Sequence, residues 1–450
     1  MQYDTLRPSL LRFLVVAGFL VTAVGCELDF VNPNNPSEEQ VLTTTEGIRS
    51  LTVGMQEAYA TSAFGETVIV TGTSSRELAA VNTQQNFVDL NDGGTDLPNT
   101  NADIAGIWSA NYRVVGMAED VLDNASDVGF NEGTESGIMA TARLFKAMAL
   151  GNVAMAFEQA PTTTNRNNEA EFVPRQAVLQ EAASLLRDAR TGVNNTPPSE
   201  DFYSEILAVG PSDSDGETRL LNVINAFEAR INLLAGNDPA AIEAANRVDP
   251  SVVPEFNYDG QSQNPIAVQL VNLANFAPRD SFGTALTQPG DQRVDFFTDP
   301  ADETGLNDYP IDAVGGFWSS TTGAVPVFVP GEMSLIRAEA KLNQGDPASE
   351  VISEIDAVRT KTPDEDPVGI GADLSAYSGG TSEADLREEI LRQRRAELYL
   401  QGLALADSRR LGLDVSDRQN PGAFERNRNF YPYPAQERRN NPNTPEDPAF

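Results

Sequence analysis

Two well-separated segments of this chain end one helix and begin the next with the same punctuation. Leu220–Ala235 has helical periodicity, meets Gly236-Asn237-Asp238-Pro239, and resumes as a helical pattern through Val248. Glu332–Asn343 does the same at Gly345-Asp346-Pro347, resuming through Val358. Glycine can end a helix in the left-handed conformation. Aspartate can supply an N-cap oxygen, and proline suits a first turn whose N–H has no partner anyway. Two antiparallel helical hairpins with one grammar constrain the fold to stacked helix pairs, a tetratricopeptide-like array whose copies are irregularly spaced.

Further segments obey the same 3.6-residue period. Ile104–Leu122 carries Ile104, Ile107, Trp108, Val114, Val115, Met117 and Val121; Ile138–Phe157 is rich in Ala, Met and Leu; Gln176–Arg190 has an apolar stripe from Val178 to Leu186. A last strong helix starts near Thr381-Ser382, has Glu383 and Asp385 in its first turn, and is predicted to run to about Leu405. Between these, residues 79–103 and 249–329 are rich in Gly, Pro, Asn and Asp and are expected to be loop-dominated insertions. Beyond Leu411 the chain again reads as irregular.

Composition removes whole classes of chemistry. The 450 residues contain no histidine and one cysteine. Ser-His-Asp and Cys-His catalysis, H-E-x-x-H zinc chemistry and intramolecular disulfides are therefore excluded. Sixty-six acids against 31 bases give a net charge of −35, which argues against nucleic acid as a partner. It also suits a protein kept soluble in salty medium. The charge is unevenly spread. Residues 381–450 hold 12 acids and 11 arginines, which suggests a near-neutral docking surface at that end.

At the N-terminus an apolar run from Phe13 to Val24 follows Arg7 and Arg12. Twelve helical residues reach about 18 Å, short of a ~30 Å hydrocarbon core, so the run fits a signal-peptide core. It ends in Ala23-Val24-Gly25-Cys26, which resembles a bacterial lipobox. The expectation is a signal peptide over 1–25, acylation of Cys26, and a tether over 26–45 that starts with acidic Glu27 and Asp29. Residues 46–450 are expected to form the functional domain. The bland alternative is an ordinary secretory peptide with an incidental cysteine.

Several ordered segments resemble the SusD/RagB family. Trp108-x-x-x-Tyr112 with Val115 and Ala118 is similar to the family's W-x-x-x-Y-x-x-I-x-x-A-N helix, with Glu119 in place of the Asn. Ala142-Arg143 to Ala147, the weaker Pro174-Arg175, and Ala226 to Arg230 match in order. Leu335-Ile336-Arg337-Ala338-Glu339-Ala340, then Ile355 to Arg359, resemble the C-terminal signature. Ile390 to Leu398 and Gln401 to Arg410 track E-R-R-x-E-L-x-x-E-G-x-R-x-x-D-x-R-R, with Gln393 and Gln401 replacing glutamates and Ala404 an arginine. Pro432 to Asn443 is similar to the closing P-I-P-x-x-E-x-x-x-N-P-N.

The resemblance implies a mostly α fold, with about four tetratricopeptide-like hairpins and a loop-rich irregular half. It implies a lipid-anchored protein facing the cell exterior. As partner it implies a SusC-like, TonB-dependent outer-membrane barrel, and as ligand a glycan or peptide nutrient. No cofactor, metal or catalytic residue is expected. The rivals are a carboxylate-based surface hydrolase and a peptide-binding or scaffolding helical-repeat protein.

Ligand contacts are expected from aromatic faces in the loop-rich half, Trp318, Tyr309 and Phe317, and from the polar run Asn82, Gln84, Gln85 and Asn86. The bland reading is that the aromatics pack loops onto helices. Trp108, within a periodic helix, reads as core. The Asp-rich runs Asp213–Gly216 and Asp291–Asp302 lack EF-hand spacing and read as solvated loops rather than calcium sites. The charges of the 381–410 helix, such as Glu388 with Arg392 and Arg394 with Glu397, read as structural ion pairs.

Overall fold

Helix starts in this chain are written in its short polar side chains. Asn101 Oδ1 accepts from Asp103 N and Ile104 N, Asn131 Oδ1 from Thr134 N, and Asp215 Oδ2 from Thr218 N. Ser382 and Asp385 form a reciprocal capping box. A computed structural model describes residues 41–165, 167, 169–210, 215–283, 287–411 and 426–449. The expected signal peptide, most of the tether and Cys26 lie outside the described residues, as do Asp213 and Ser214.

The helices are α1 Thr45–Ala58, α2 Phe64–Ser74, α3 Gln85–Asp92, α4 Ala102–Asn124, α5 Glu132–Ala156, α6 Arg175–Asn195, α7 Glu200–Glu205, α8 Gly216–Leu234, α9 Asp238–Ala245, α10 Gln292–Phe297, α11 Gly331–Gln344, α12 Ala348–Arg359, α13 Glu383–Glu397, α14 Ala404–Arg410 and α15 Ala435–Asn440. From α4 onward the long helices stack in sequence: α4 on α5, α5 on α6, α6 on α8, α8 on α9, α9 on α11, and α11 on α12 and α13. This is the expected array of antiparallel hairpins. Its largest core gathers Ile107, Val114, Leu144, Leu150, Leu179 and Leu186, all fully buried. Trp108 belongs to that core, at 4.6 Å from Tyr112 and 4.8 Å from Phe157 between ring centroids. Among the described residues no helix is long and apolar enough to cross a membrane.

The hairpin grammar holds at its glycines and differs at its aspartates. Gly236 and Gly345 take φ of +72° and +75°, the left-handed conformation that ends a helix. Asp238, however, lies inside α9, where it accepts from Asn343 Nδ2, and Pro347 itself stands at the N-cap of α12. Proline's fixed φ organises these starts without an aspartate cap.

Three further expectations are corrected. The last helix does not run to Leu405: α13 ends at Glu397, and the chain turns through Leu400 (φ +56°) and Gly402 (φ +76°) before α14. Glu77 Oε1 accepts the Leu400 N–H freed by that turn. Residues 79–103 are not a loop throughout, since α3 lies within them with only Phe87, Leu90 and Asn91 buried. Such a short apolar face leaves no readable period. The sequence reading also misses α1 and α2, whose apolar stripe is diluted by Thr52, Thr67, Thr71 and Thr73; each of these hydroxyls bonds the carbonyl four residues back.

The irregular half is pinned by four two-stranded antiparallel sheets. Leu78–Ala80 pairs with Phe276–Pro278. The two loop-rich stretches, distant in sequence, are thereby neighbours in space.

The C-terminal signature residues form buried ion pairs, though partly with other partners than the local ones expected. Glu388 and Arg392 do pair at 3.0 Å. Arg394 instead binds Asp407 at 2.7 Å, Arg410 binds Glu339 at 2.6 Å, and Glu397 binds Arg293 at 3.1 Å and Lys361 at 3.0 Å. In this region Arg394, Arg395, Arg426 and Arg428 are buried, as are Glu389, Glu397 and Asp407. At the exposed start of α13, replacing Ser382 by alanine is expected to cost about 1 kcal/mol. An unchanged urea midpoint would show that the capping box is not used in solution.

Candidate functional site

A backbone irregularity marks each of two facing walls. α1 passes into α2 through a π-turn, Tyr59–Ala63, and the short Pro265–Ala267 helix passes into a second, Val268–Asn272. π-Turns re-aim side chains and recur at functional sites. Here they point Thr61, Ser62 and Gln269 into one cleft of about 170 Å³. Glu66, Asn86, Phe87, Asp103 and Phe276 are also part of its lining.

Two glycines make the space. A Cβ on Gly65 would lie 2.5 Å from Pro265 Cβ, so glycine lets the walls meet at that point. A Cβ on Gly106 would lie 2.8 Å from Glu66 Oε2, so the carboxyl rests where a side chain would otherwise be. Phe87 and Phe276, 4.8 Å apart edge to face, close the apolar side.

The polar groups are only partly satisfied from within. Asn86 Nδ2 donates to Asp103 Oδ2 at 3.0 Å, and Asn101 Nδ2 donates to the Asn86 carbonyl. Asn82 Nδ2 donates to Asn275 Oδ1, and Asn275 Nδ2 donates to Gln269 Oε1 at 2.8 Å, linking the loop over α3 to the opposite wall. Burial, and then the charge of Asp103, push the Glu66 carboxyl up to about 7. Burial likewise raises Asp103.

The Glu66 shift has a stability consequence. Because its folded value lies above its ordinary 4.5, Glu66 favours the fold fully below pH 4.5, and that contribution is lost as pH rises through about 7. The urea midpoint of the wild type should therefore fall more steeply across this window than that of Glu66→Gln. Parallel profiles would mean that Glu66 titrates normally.

Of the anticipated ligand residues, Asn86 lines the cleft and Asn82 is joined to its wall by the relay through Asn275. Gln84 and Gln85 are exposed on the first turn of α3, Gln85 bonded to Asp89. The aromatics are placed otherwise. Trp318 is fully buried, with Phe64 at 6.3 Å and Phe317 at 5.9 Å, and offers no open face. Tyr309 is buried beside the guanidinium groups of Arg279, 4.1 Å away, and Arg76, 5.3 Å away. Phe317 is half-buried against Phe296 and Phe297. The packing reading of these three is the one the structure favours. Asp291 caps α10 and pairs with Arg293, while Asp299 and Asp302 are exposed.

Sequence reasoning missed Glu66, Asp103, Ser62 and Gln269. No spacing rule joins residues that meet only through a π-turn and a distant loop. A second cleft, lined by Trp108, Tyr112, Glu437 and Asn441 among others, is largely self-satisfied: Trp108 donates to Glu437, Tyr112 to the Pro161 carbonyl, and Asn441 to Glu437 and the Ala170 carbonyl.

No curated protein matches the chain in sequence. Solved structures do match in fold. A SusD superfamily protein from Bacteroides thetaiotaomicron is 16% identical with a TM-score of 0.68, over 90% of this chain and all of that one. A SusD-like carbohydrate binding protein from Bacteroides vulgatus is 16% identical with a TM-score of 0.61, over 81% of this chain and 83% of that one. A SusD/RagB family protein from B. thetaiotaomicron, 16% identical, gives 0.63 over 88% and 95%. Residues 318–448, which carry the buried ion-pair signature, match the SusD family model. With that signature seated in the expected array of helical hairpins, residues 318–448 match the SusD family and the described fold is that of SusD-like proteins.

Proposed function

We propose that this chain is a non-catalytic nutrient-binding protein of the cell surface. In this reading it is anchored through acylated Cys26, captures an oligosaccharide, and passes it to a SusC-like, TonB-dependent barrel. The observation that carries the binding half is the cleft between the two π-turns. It combines Ser, Thr, Asn and Gln side chains with a Phe pair, a mixture suited to hydroxyls and sugar C–H faces. A carbohydrate binder from B. vulgatus shares the fold, which supports a glycan over a peptide. Asn86 is the contact we assign first, with Asn82 positioning the wall.

The test is co-purification of a tagged chain with Cys26 intact from detergent-solubilised outer membranes, followed by a calorimetric glycan screen. A stoichiometric barrel partner and a bound glycan are expected. A membrane-bound protein that comes down alone would remove the transporter half. One observation favours a second reading. A carboxyl held near 7 beside a second acid is the pairing a glycosidase uses. Release of reducing ends that disappears in Glu66→Gln would establish hydrolysis and displace the binding reading.

A further inference from the structure

Charge inside the cleft is one-sided. Glu66 and Asp103 are its titratable groups, and no lysine or arginine stands among the lining residues. The first π-turn gives Thr61 and Ser62, α2 gives Ile69, α3 gives Asn86 and Phe87, and the opposite wall gives Pro265, Gln269 and Phe276. Four acids buried elsewhere in the fold, Glu332, Glu339, Glu397 and Asp407, each sit against a guanidinium, while Glu77 accepts from the Leu400 N–H.

Asp103 shares one oxygen with Asn86, whereas Glu66 takes part in no hydrogen bond or ion pair among the described residues. Its carboxyl lies against Gly106, in space that any other residue there would fill. Two partly buried carboxyls that line one cleft without a cation beside them are a place where a ligand cation would be favoured. The Phe87–Phe276 pair adds aromatic faces that suit a cation as well as an apolar group.

Resting on the reading of this cleft as the ligand site, we propose that it receives a primary ammonium group of its ligand. Glu66 and Asp103 accept from the ammonium, and Ser62 and Gln269 hold the neighbouring polar atoms. The same chemistry is offered by a deacetylated amino sugar and by a peptide N-terminus.

The test is calorimetry on the purified chain at pH 7.5 with four probes. These are a β-1,4-glucosamine tetrasaccharide, its fully N-acetylated counterpart, a neutral tetrapeptide amide with a free N-terminus, and the same peptide acetylated. The amine form of one pair is expected to bind roughly tenfold or more tighter than its acetylated form, and the pair that discriminates identifies the source. Binding should release protons, seen as a heat that depends on the buffer's ionisation enthalpy. Glu66→Gln should shrink the discrimination to about twofold or less, with its far-ultraviolet circular dichroism unchanged. The wild-type comparison stands even if that variant folds poorly. Equal affinity for amine and acetylated forms would overturn the ammonium assignment and leave nutrient capture intact. Binding of neutral glycans alone would do the same. Failure of every probe and of the neutral glycan screen would remove the ammonium assignment and the proposed cleft together.

Discussion

Arg293→Ala is expected to destabilise the fold by about 3–5 kcal/mol, the largest single-residue effect anticipated in this chain. The guanidinium is completely buried and meets acids from two directions. Nε and one terminal nitrogen bind Asp291 at 2.9 and 2.7 Å, the other terminal nitrogen binds Glu397 at 3.1 Å, and Gln393 Oε1 accepts a further bond at 2.8 Å. Burial alone would favour loss of its proton; the hydrogen bonds and charge of Asp291, then Glu397, more than offset this and hold it charged. Alanine leaves Glu397 and Asp291 in the interior with Lys361, which reaches Glu397 at 3.0 Å, as the remaining cation.

The measurement is a urea titration with the m-value held as a check on two-state behaviour. The double variant Arg293→Met with Glu397→Gln should recover much of the loss, because removing both charges removes the desolvation cost as well. A midpoint unchanged in the single variant would show that water enters this site. The same geometry explains Gln393, where the resemblance leads one to expect a glutamate. Its carbonyl oxygen accepts from Arg293 while its amide donates to Glu389 at 2.8 Å. A carboxylate cannot do both.

How far the sequence reaches is visible at this network. The order of the charged signature is legible, and so is its structural rather than catalytic role. Its actual partners are not, because Arg293 lies about a hundred residues before Glu397 and no local period links them. The helices with broad apolar faces, α4, α5, α6, α8 and α11, are readable for the opposite reason: their packing is encoded every three or four residues. α3 has too narrow a face to show a period, and the break after Glu397 depends on a turn accommodated by Glu77 from far away.

The candidate site is the least legible part. Asn86 can be picked from a polar run, but its neighbours Glu66 and Gln269 become relevant only when Leu78–Ala80 pairs with Phe276–Pro278. The aromatics mislead because a loop-rich stretch predicts exposure on average. In this fold Tyr309, Ile311 and Trp318 of that stretch pack inward, and Trp318 is one of the largest fully buried side chains.

Raising sodium chloride from 0.05 M to 1 M is expected to increase the unfolding free energy by roughly 3–10 kcal/mol, with a matching rise in melting temperature. The net charge is −35, and the fold does not hide it. Among the described residues, eleven cations and nine acids are buried, so the interior withdraws positive charge and the outer shell is more negative than the whole chain. Compressing that shell onto one compact unit works against folding. Salt shortens the screening length from ~10 Å at 0.1 M to ~3 Å at 1 M, which relieves the compact state far more than the expanded one. The buried pairs such as Arg293 with Glu397 are shielded by protein rather than by ions and should respond little. Arg293→Ala should therefore cost nearly the same at both salt concentrations. A flat midpoint across the series would mean that the exposed acids are neutralised locally, and the acidic surface would then need an explanation other than life in salt. A rise that persists after ten exposed acids are changed to glutamine would assign the effect to general salt action on apolar burial instead.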